Sequence, residues 1–188
     1  MTIPYVTLLL IIIWRVYWRI SEITADREKE KTKKTIAFVD GFQRMVIVGL
    51  FLLACAQLLG VTIVPYGFSS QTIGFMVVCV GLLICILARR ALGTNWANSY
   101  EFQIKKQHEL VTRGIYRYIR HPIYSGIFCM LVGAELVVQS YLVLPYLVVL
   151  PLGMYWQAKR EEEILTHHFG KTYVVYMKQT KMFVPFIW

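Results

Sequence analysis

"GIYRYIRHPIYSG", residues 114–126, decides how this chain is to be read. Three tyrosines, two arginines, a histidine and a proline are packed into it, with Arg113 just ahead. Strongly apolar segments lie on both sides of the polar region that holds it. Of the 188 residues, 57% are hydrophobic and 16% are charged. Soluble domains average about 45–50% apolar residues, so these apolar segments exceed what one soluble core would bury. The length fits a single domain. The composition therefore points to an integral membrane protein with the quoted stretch at the mouth of a membrane helix.

The charge distribution agrees. The formal net charge is +9, but the basic residues fall into three blocks, Arg15–Arg44, Arg89–Arg120 and Lys159–Lys181. No Lys or Arg lies between the blocks. That is the positive-inside pattern of cytoplasmic loops and not a nucleic-acid footprint, so no nucleic-acid partner is expected. The N-terminus is expected outside and the C-terminus in the cytoplasm. "MTIPYVTLLLIIIW" has its positive charges after the apolar run, and no cleavage site follows, so it reads as a retained helix. The cysteines Cys55, Cys79, Cys85 and Cys129 all sit in apolar segments without a CxxC pair, and read as small buried hydrophobes.

The expected architecture is all-α, with about five transmembrane helices. The first three run over residues 3–20, 42–64 and 71–92. Gly74 and Gly81, seven apart on one face of the third, allow close helix packing. Residues 93–122 are basic and irregular, with short helices. Residues 124–139 and 142–157 then form a helical hairpin, each arm about 24 Å long against a bilayer core of about 30 Å. Pro151 is placed to kink the second arm. Gly170 ends an amphipathic helix carrying Ile164, Leu165 and Phe169, and Tyr173, Tyr176 and Met177 open another. Residues 1–92 are thus a three-helix membrane part and 93–188 a catalytic part, integrated as one domain. A cofactor pocket is expected on the cytoplasmic side of the second part.

Absences narrow the chemistry. No two glycines are two residues apart, which excludes the GxGxxG dinucleotide fingerprint, and G-x-S-x-G, H-E-x-x-H and P-loop motifs are missing. No metal-ligand spacing is present, and His167 and His168 read as surface residues of the tail. Two polar strips remain, one at each cytoplasmic end of the hairpin. The first offers Arg120, His121 and tyrosines; the second, "KREEEIL", offers Glu161, Glu162 and Glu163. If the hairpin closes, a ligand with both a carboxylate and an ammonium finds a counter-charge at each end. A cationic centre also finds aromatic faces. Each strip alone is equally compatible with a structural role: Arg120 and His121 as interface anchors, Pro122 as a first helical residue, the glutamates as a solvated helix start.

The stretch "HELVTRGIYRYIRHPIYSG", then "EEEILTHHFGKTYVVY" and "TKMFVPF", closely resembles the isoprenylcysteine carboxyl methyltransferase family, which includes related phospholipid methyltransferases. The family pattern is H-x-L-V-x-x-G-[IV]-Y-x-x-x-R-H-P-x-Y-x-G, followed by E-E-x-x-L near F-G-x-x-Y-x-x-Y. The resemblance covers about residues 92–188, "LGTNW" included. It implies methyl transfer from S-adenosylmethionine to a lipophilic or lipidated acceptor delivered by the membrane. It also implies that His108, Glu109, Leu110, Val111 and Tyr116 hold the cofactor's adenosine end, with Gln103 as a further contact. His121, Pro122 and Tyr124 close over the cofactor, and Glu161, with Glu162 beside it, takes its amino acid end.

One departure bears on the acceptor. Prenylcysteine-type members carry an arginine four residues before that glutamate, facing the substrate carboxylate; here the position is Gln157, and Arg160 is the nearby replacement. Gln157, Arg160 and Glu161 are therefore the candidate catalytic residues. A glutamine can hydrogen-bond a carboxylate but cannot neutralise it. The alternatives are a phospholipid N-methyltransferase, an NADPH-dependent sterol-type reductase with a similar hairpin, and a non-enzymatic membrane scaffold. Glu135, inside the first hairpin arm, either lines the substrate cavity or pairs with Gln139 or a tyrosine near the outer interface, and the structural pairing is the favoured reading.

Overall fold

The computed structural model describes residues 2–26, 38–61, 65, 69–93 and 109–185. Among them are six α-helices: α1 (Thr2–Asp26), α2 (Phe38–Leu58), α3 (Gln71–Leu92), α4 (Pro122–Val137), α5 (Val143–Phe169) and α6 (Lys171–Gln179). A single 3-10 turn over Gly114–Arg117 precedes α4.

The helices are apolar on both faces. On α1, Thr7, Ile11, Trp14 and Trp18 recur at helical intervals and are buried, while Leu9, Ile12, Ile13, Val16 and Ile20 are exposed. On α3, Val78, Leu82 and Cys85 face inward, and Ile73, Met76, Val80, Leu83 and Leu87 face outward. On α5, Tyr146, Leu150 and Met154 are buried beneath an outer face of Leu144, Leu147, Val148 and Leu152. Such continuous exposed apolar surface suits hydrocarbon rather than water. Ile3–Ser21 and Gln71–Leu92 are each long and apolar enough to cross a bilayer, and Pro122–Val137 is a shorter apolar helix.

Hydrocarbon solvent removes the hydrophobic drive between helices, so close backbone approach has to supply the contact. The antiparallel α3–α4 pair provides it. A Cβ on Gly74 would lie 2.6 Å from the Gly133 carbonyl oxygen, and one on Gly81 would lie 2.6 Å from that of Gly126. The anticipated glycine pair on α3 therefore meets a second pair on α4 with the same spacing of seven residues. Ser70 Oγ donates to the Leu136 carbonyl at 2.6 Å and pins one end of this crossing.

Glu135 is fully buried on α4. Gln57 Nε2 on α2 donates to its two carboxylate oxygens at 2.9 and 3.1 Å, and Tyr146 on α5 is the tyrosine expected beside it; Gln139 faces Gln71 instead. Tyr146 on α5 donates to the Leu50 carbonyl at 3.1 Å, a further tie between the hairpin and α2. The hairpin turn itself uses a left-handed Gln139 at φ 57°. The Ser140 amide closes the turn on the Glu135 carbonyl at 3.0 Å.

Several boundaries differ from expectation: α2 starts at Phe38 rather than residue 42, and α4 is shifted two residues towards the N-terminus. α1 continues to Asp26 and α2 stops at Leu58, just before Gly60 at φ 105°. α5 does not stop at residue 157. It runs unbroken through the glutamates to Phe169, with Pro151 inside it, for 27 residues. That length is about 40 Å, enough to cross a bilayer and protrude beyond it. Alanine, lysine, arginine and glutamate at 158–163 all favour helix, so loss of hydrophobicity does not end it. Gly170, at φ 57°, does. Of the four cysteines only Cys85 is buried as anticipated, against the α3–α4 crossing; Cys55, Cys79 and Cys129 are half-buried.

The crossing yields a paired prediction. Gly81→Val forces a side chain into backbone and should cost about 1–3 kcal/mol in mixed-micelle unfolding. Gly153→Ala, where the new Cβ meets nothing within 4 Å, should be neutral or gain up to about 1 kcal/mol. Equal stability of the two variants would contradict the close approach.

Candidate functional site

The basic strip is fixed by chain that follows α6. The Lys181 amide donates to the Tyr118 carbonyl at 3.0 Å, the Arg120 amide to Lys181 at 2.8 Å and the His121 amide to Met182 at 3.0 Å. These bonds make a short parallel bridge between Ile119 and Lys181. Ser125 Oγ adds a bond to the Phe183 carbonyl at 2.7 Å. A loop that would otherwise hang free before α4 thereby gains strand-like support, and Pro122 starts α4 at its first turn, where a missing N–H costs nothing.

Arg120 engages its partners through two of its three guanidinium nitrogens. Nε lies 2.6 Å from Glu162 Oε1. NH1 donates to the carbonyls of Met177, at 3.1 Å, and Thr180. The arginine thus joins the loop, α5 and the end of α6.

The acidic strip is a stretch of helix rather than a helix start. Gln157, Ala158 and Glu162 lie on the buried face of α5, and Glu161 is half-buried beside them. Glu161 Oε1 accepts a hydrogen bond from the Tyr124 hydroxyl. His121 sits between the carboxylates, with Nδ1 3.3 Å from Glu161 Oε2 and Nε2 3.4 Å from Glu162 Oε1. Those are ion-pair distances, long for hydrogen bonds. A carboxylate facing each ring nitrogen calls for a donor on both, which is the imidazolium.

The electrostatics follow. Burial alone would depress the His121 pKa, but the hydrogen-bonding and charge of Glu161 and Glu162 outweigh it and raise it above the ordinary value. Burial alone would raise the Glu162 pKa, yet His121 and Arg120 together hold it down to about 2. Lys159 Nζ, 3.4 Å from Glu162 Oε2, is a more exposed partner. Two cations and two carboxylates therefore neutralise one another across the strips.

Aromatic rings wall the cluster. His121 stacks on Tyr124 with centroids 5.6 Å apart and planes 11° apart. The ring of Phe183 lies 5.9 Å from His121 and 6.4 Å from Tyr124. Tyr116 is buried below, and its carbonyl accepts the Tyr176 hydroxyl at 2.7 Å. Burial raises the Tyr116 pKa, so its phenol stays protonated.

The structure therefore brings together Tyr116, His121, Pro122, Tyr124, Glu161 and Glu162. Gln157 is buried one helical turn before Glu161, whereas Arg160 is exposed. Glu109 is exposed at the edge of the described residues, followed by half-buried Leu110 and Val111. Gln103 and His108 lie outside the described residues. Sequence reasoning missed Thr180 and Phe183, although "TKMFVPF" had marked the segment. Tyr173 and Tyr176, read from the sequence as the stripe of a second amphipathic helix, are buried on one face of α6. Among the described residues no cluster of His, Cys, Asp or Glu could hold a metal ion.

The ion cluster sets a pH signature. Glu162 has a lowered native pKa, so its stabilisation is present above about 4.5 and is lost as pH falls towards 2. His121 has a raised native pKa, so its stabilisation is full below about 6.5 and is lost as pH climbs through the raised value. In lipid nanodiscs, Glu162→Gln should cost about 3 kcal/mol near pH 5.5, where a buried pair is broken. The deficit should shrink as pH drops below about 4.5. A deficit independent of pH would contradict the ionised pair.

Comparison with known proteins places this geometry. The model of the phospholipid methyltransferase family matches residues 69–172, more than half of the chain. A rice protein (Oryza sativa subsp. indica) named "Probable protein-S-isoprenylcysteine O-methyltransferase" is 32% identical over 127 residues, covering 65% of this chain and 64% of that protein. The Dictyostelium discoideum protein-S-isoprenylcysteine O-methyltransferase is 27% identical over 126 residues, covering 63% of this chain and 50% of the relative. The chain thus spans less than two thirds of the length of these relatives. A solved structure of the eukaryotic intramembrane Ras methyltransferase ICMT (isoprenylcysteine carboxyl methyltransferase) superposes with a TM-score of 0.62 at 20% identity. It covers 89% of this chain and 60% of its own. It shares the fold, and the matched region holds the α3–α4 crossing, the basic strip and both glutamates: this chain belongs to the phospholipid methyltransferase family.

Proposed function

We propose that the protein transfers a methyl group from S-adenosylmethionine to a lipophilic acceptor at the cytoplasmic face of a membrane, with a prenylcysteine-type carboxylate as the acceptor. The observation that carries this reading is the junction of His121 with Glu161 and Glu162, two strips 40 residues apart in sequence. The names of the relatives support the same chemistry. Five spans, with the N-terminus outside, complete the reading; residues 1–92 anchor and residues 93–188 catalyse.

The residues present fit the methyl donor. When bound, S-adenosylmethionine supplies a methyl group made electrophilic by a sulfonium. Glu161, with Glu162 behind it, offers a carboxylate to the donor's ammonium. The aromatic ring of Tyr124 suits a cationic centre. Leu110, Val111 and Tyr116, with Gln103, His108 and Glu109, serve the adenosine end. Arg120 is engaged by Glu162 and by carbonyls, and Arg160, on the exposed side of α5, is the counter-charge assigned to the acceptor's carboxylate.

A carboxylate acceptor brings its own nucleophile and gives up no proton. The site has only to align and desolvate it. An amine acceptor needs a base, and the two ring nitrogens of His121 already face Glu161 and Glu162. This favours the carboxylate over the phospholipid amine. An apolar exterior suits lateral arrival of a lipid tail while its polar end meets the strips.

Calorimetry with S-adenosylhomocysteine tests the donor site. Glu161→Gln and His121→Ala should each weaken binding about 10–100-fold, the value of a charged hydrogen bond, with normal membrane insertion. Unchanged affinity in both variants sinks the site; binding of NADPH instead supports a reductase.

The acceptor is tested by labelled methyl transfer into prenylcysteine mimics and membrane lipids, with products identified by mass. A base-labile methyl ester is the expected product. Gln157→Arg should raise turnover on the prenylcysteine mimic by restoring a counter-charge. N-methylated lipid, with no gain from Gln157→Arg, would favour the phospholipid reading.

A further inference from the structure

Chain beyond α6 is more than a tether. The strap Thr180–Phe183 lies along 118–121 with three backbone hydrogen bonds, of 2.8–3.0 Å. Ser125 Oγ holds the Phe183 carbonyl from the first turn of α4 at 2.7 Å. Thr180 Oγ1 returns to the Tyr176 carbonyl at 2.7 Å, and the Thr180 carbonyl takes a bond from Arg120. The strap is thus anchored at both ends and by the ion cluster.

The side chain this anchoring delivers is Phe183. It is only 9% exposed, and its ring meets both His121 and Tyr124 at tilted angles, 50° and 58°. Tilted ring contact of this kind depends on orientation. The imidazole and phenol that it touches are the two rings whose polar atoms reach Glu161. Without the phenyl ring, their stack would have a solvent-open side, and water would compete for both carboxylates.

We propose that the strap Thr180–Phe183 is a wall of the donor site and that Phe183 is the positioning residue that keeps the His121–Tyr124 stack in register with Glu161. This deepens the proposed function and rests on it only for the identity of the ligand. Phe183 acts through the two rings and touches no reacting atom. A misplacement of the order of 1 Å at a site that works by alignment costs up to about a hundredfold.

The test uses the full chain in nanodiscs. Diethyl pyrocarbonate acylates accessible imidazole nitrogen, and mass spectrometry reads each histidine separately. His167 and His168, exposed on α5, are internal standards. In the wild type, His121 should react far more slowly than they do. Phe183→Leu, which keeps bulk and loses the ring, should speed His121 acylation at least about tenfold, as a local opening easier by about 1.4 kcal/mol. It should also weaken S-adenosylhomocysteine binding about tenfold. Phe183→Tyr should restore both.

Ser125→Ala cuts the strap's anchor without touching an aromatic ring. It should give an intermediate acceleration of His121 acylation at unchanged Tm. This keeps the test decisive if Phe183→Leu fails to fold. Wild-type protection of His121 in both Phe183→Leu and Ser125→Ala would overturn the proposal. So would a Phe183→Tyr variant that behaves like Phe183→Leu, since ring contact would then not matter. Absence of S-adenosylhomocysteine binding by the wild type is a separate failure. It sinks the donor reading and leaves the acylation result to judge the strap.

Discussion

The Arg120 guanidinium joins three stretches of chain far apart in sequence. Its Nε meets Glu162 on α5, and NH1 meets carbonyls at the end of α6 and beyond it. A buried charge that lost these partners would be expensive, so the three stretches assemble together. Relative to well-packed apolar residues such a pair adds little net stability. What it contributes is a single arrangement. His121 and Glu161, next in sequence to the two partners, are carried into contact as a consequence.

Within the bilayer a different constraint operates. Apolar helices gain nothing from water by meeting one another in hydrocarbon, so backbone contact does the joining. Glycines at 74, 81, 126 and 133 let α3 and α4 approach until only Cα hydrogens separate them. α4 is then held at both ends by polar groups. Glu135 is pinned by Gln57 at one end, and Ser125 by the Phe183 carbonyl at the other. The helix that begins with Pro122 is thereby located in depth as well as in direction, and the site at its start inherits that position.

The ion cluster has a physical consequence. Opposed strips that neutralise each other form a surface of low net charge. His121 lies between Glu161 and Glu162, and Arg120 lies against Glu162, so both carboxylates are answered from within the chain. Pairing of this kind offsets much of the cost of burying the charges.

Much of this was legible in the sequence because it is local or periodic. Apolar runs fixed the all-α membrane class, and the bounds of α3 were read correctly from hydropathy and turn residues. Gly170 was read as a helix end, while the start of α4 was placed at Tyr124, two residues after Pro122. Two spaced motifs were enough to suggest the family and to select His121, Tyr124 and Glu161. The end of α5 was misread because polarity was taken as a break, while the residues at 158–163 are good helix formers. The second glycine pair had the same spacing as the first and was overlooked. Tertiary structure alone decided three things: which glutamate pairs with Arg120, which residue answers Glu135, and that Phe183 closes the aromatic wall. Each is a contact between residues at least 42 positions apart. Sequence determines what each side chain can do along its own helix. Which partner it finds across such a separation depends on how helices cross and straps fold back, and no local pattern encodes that.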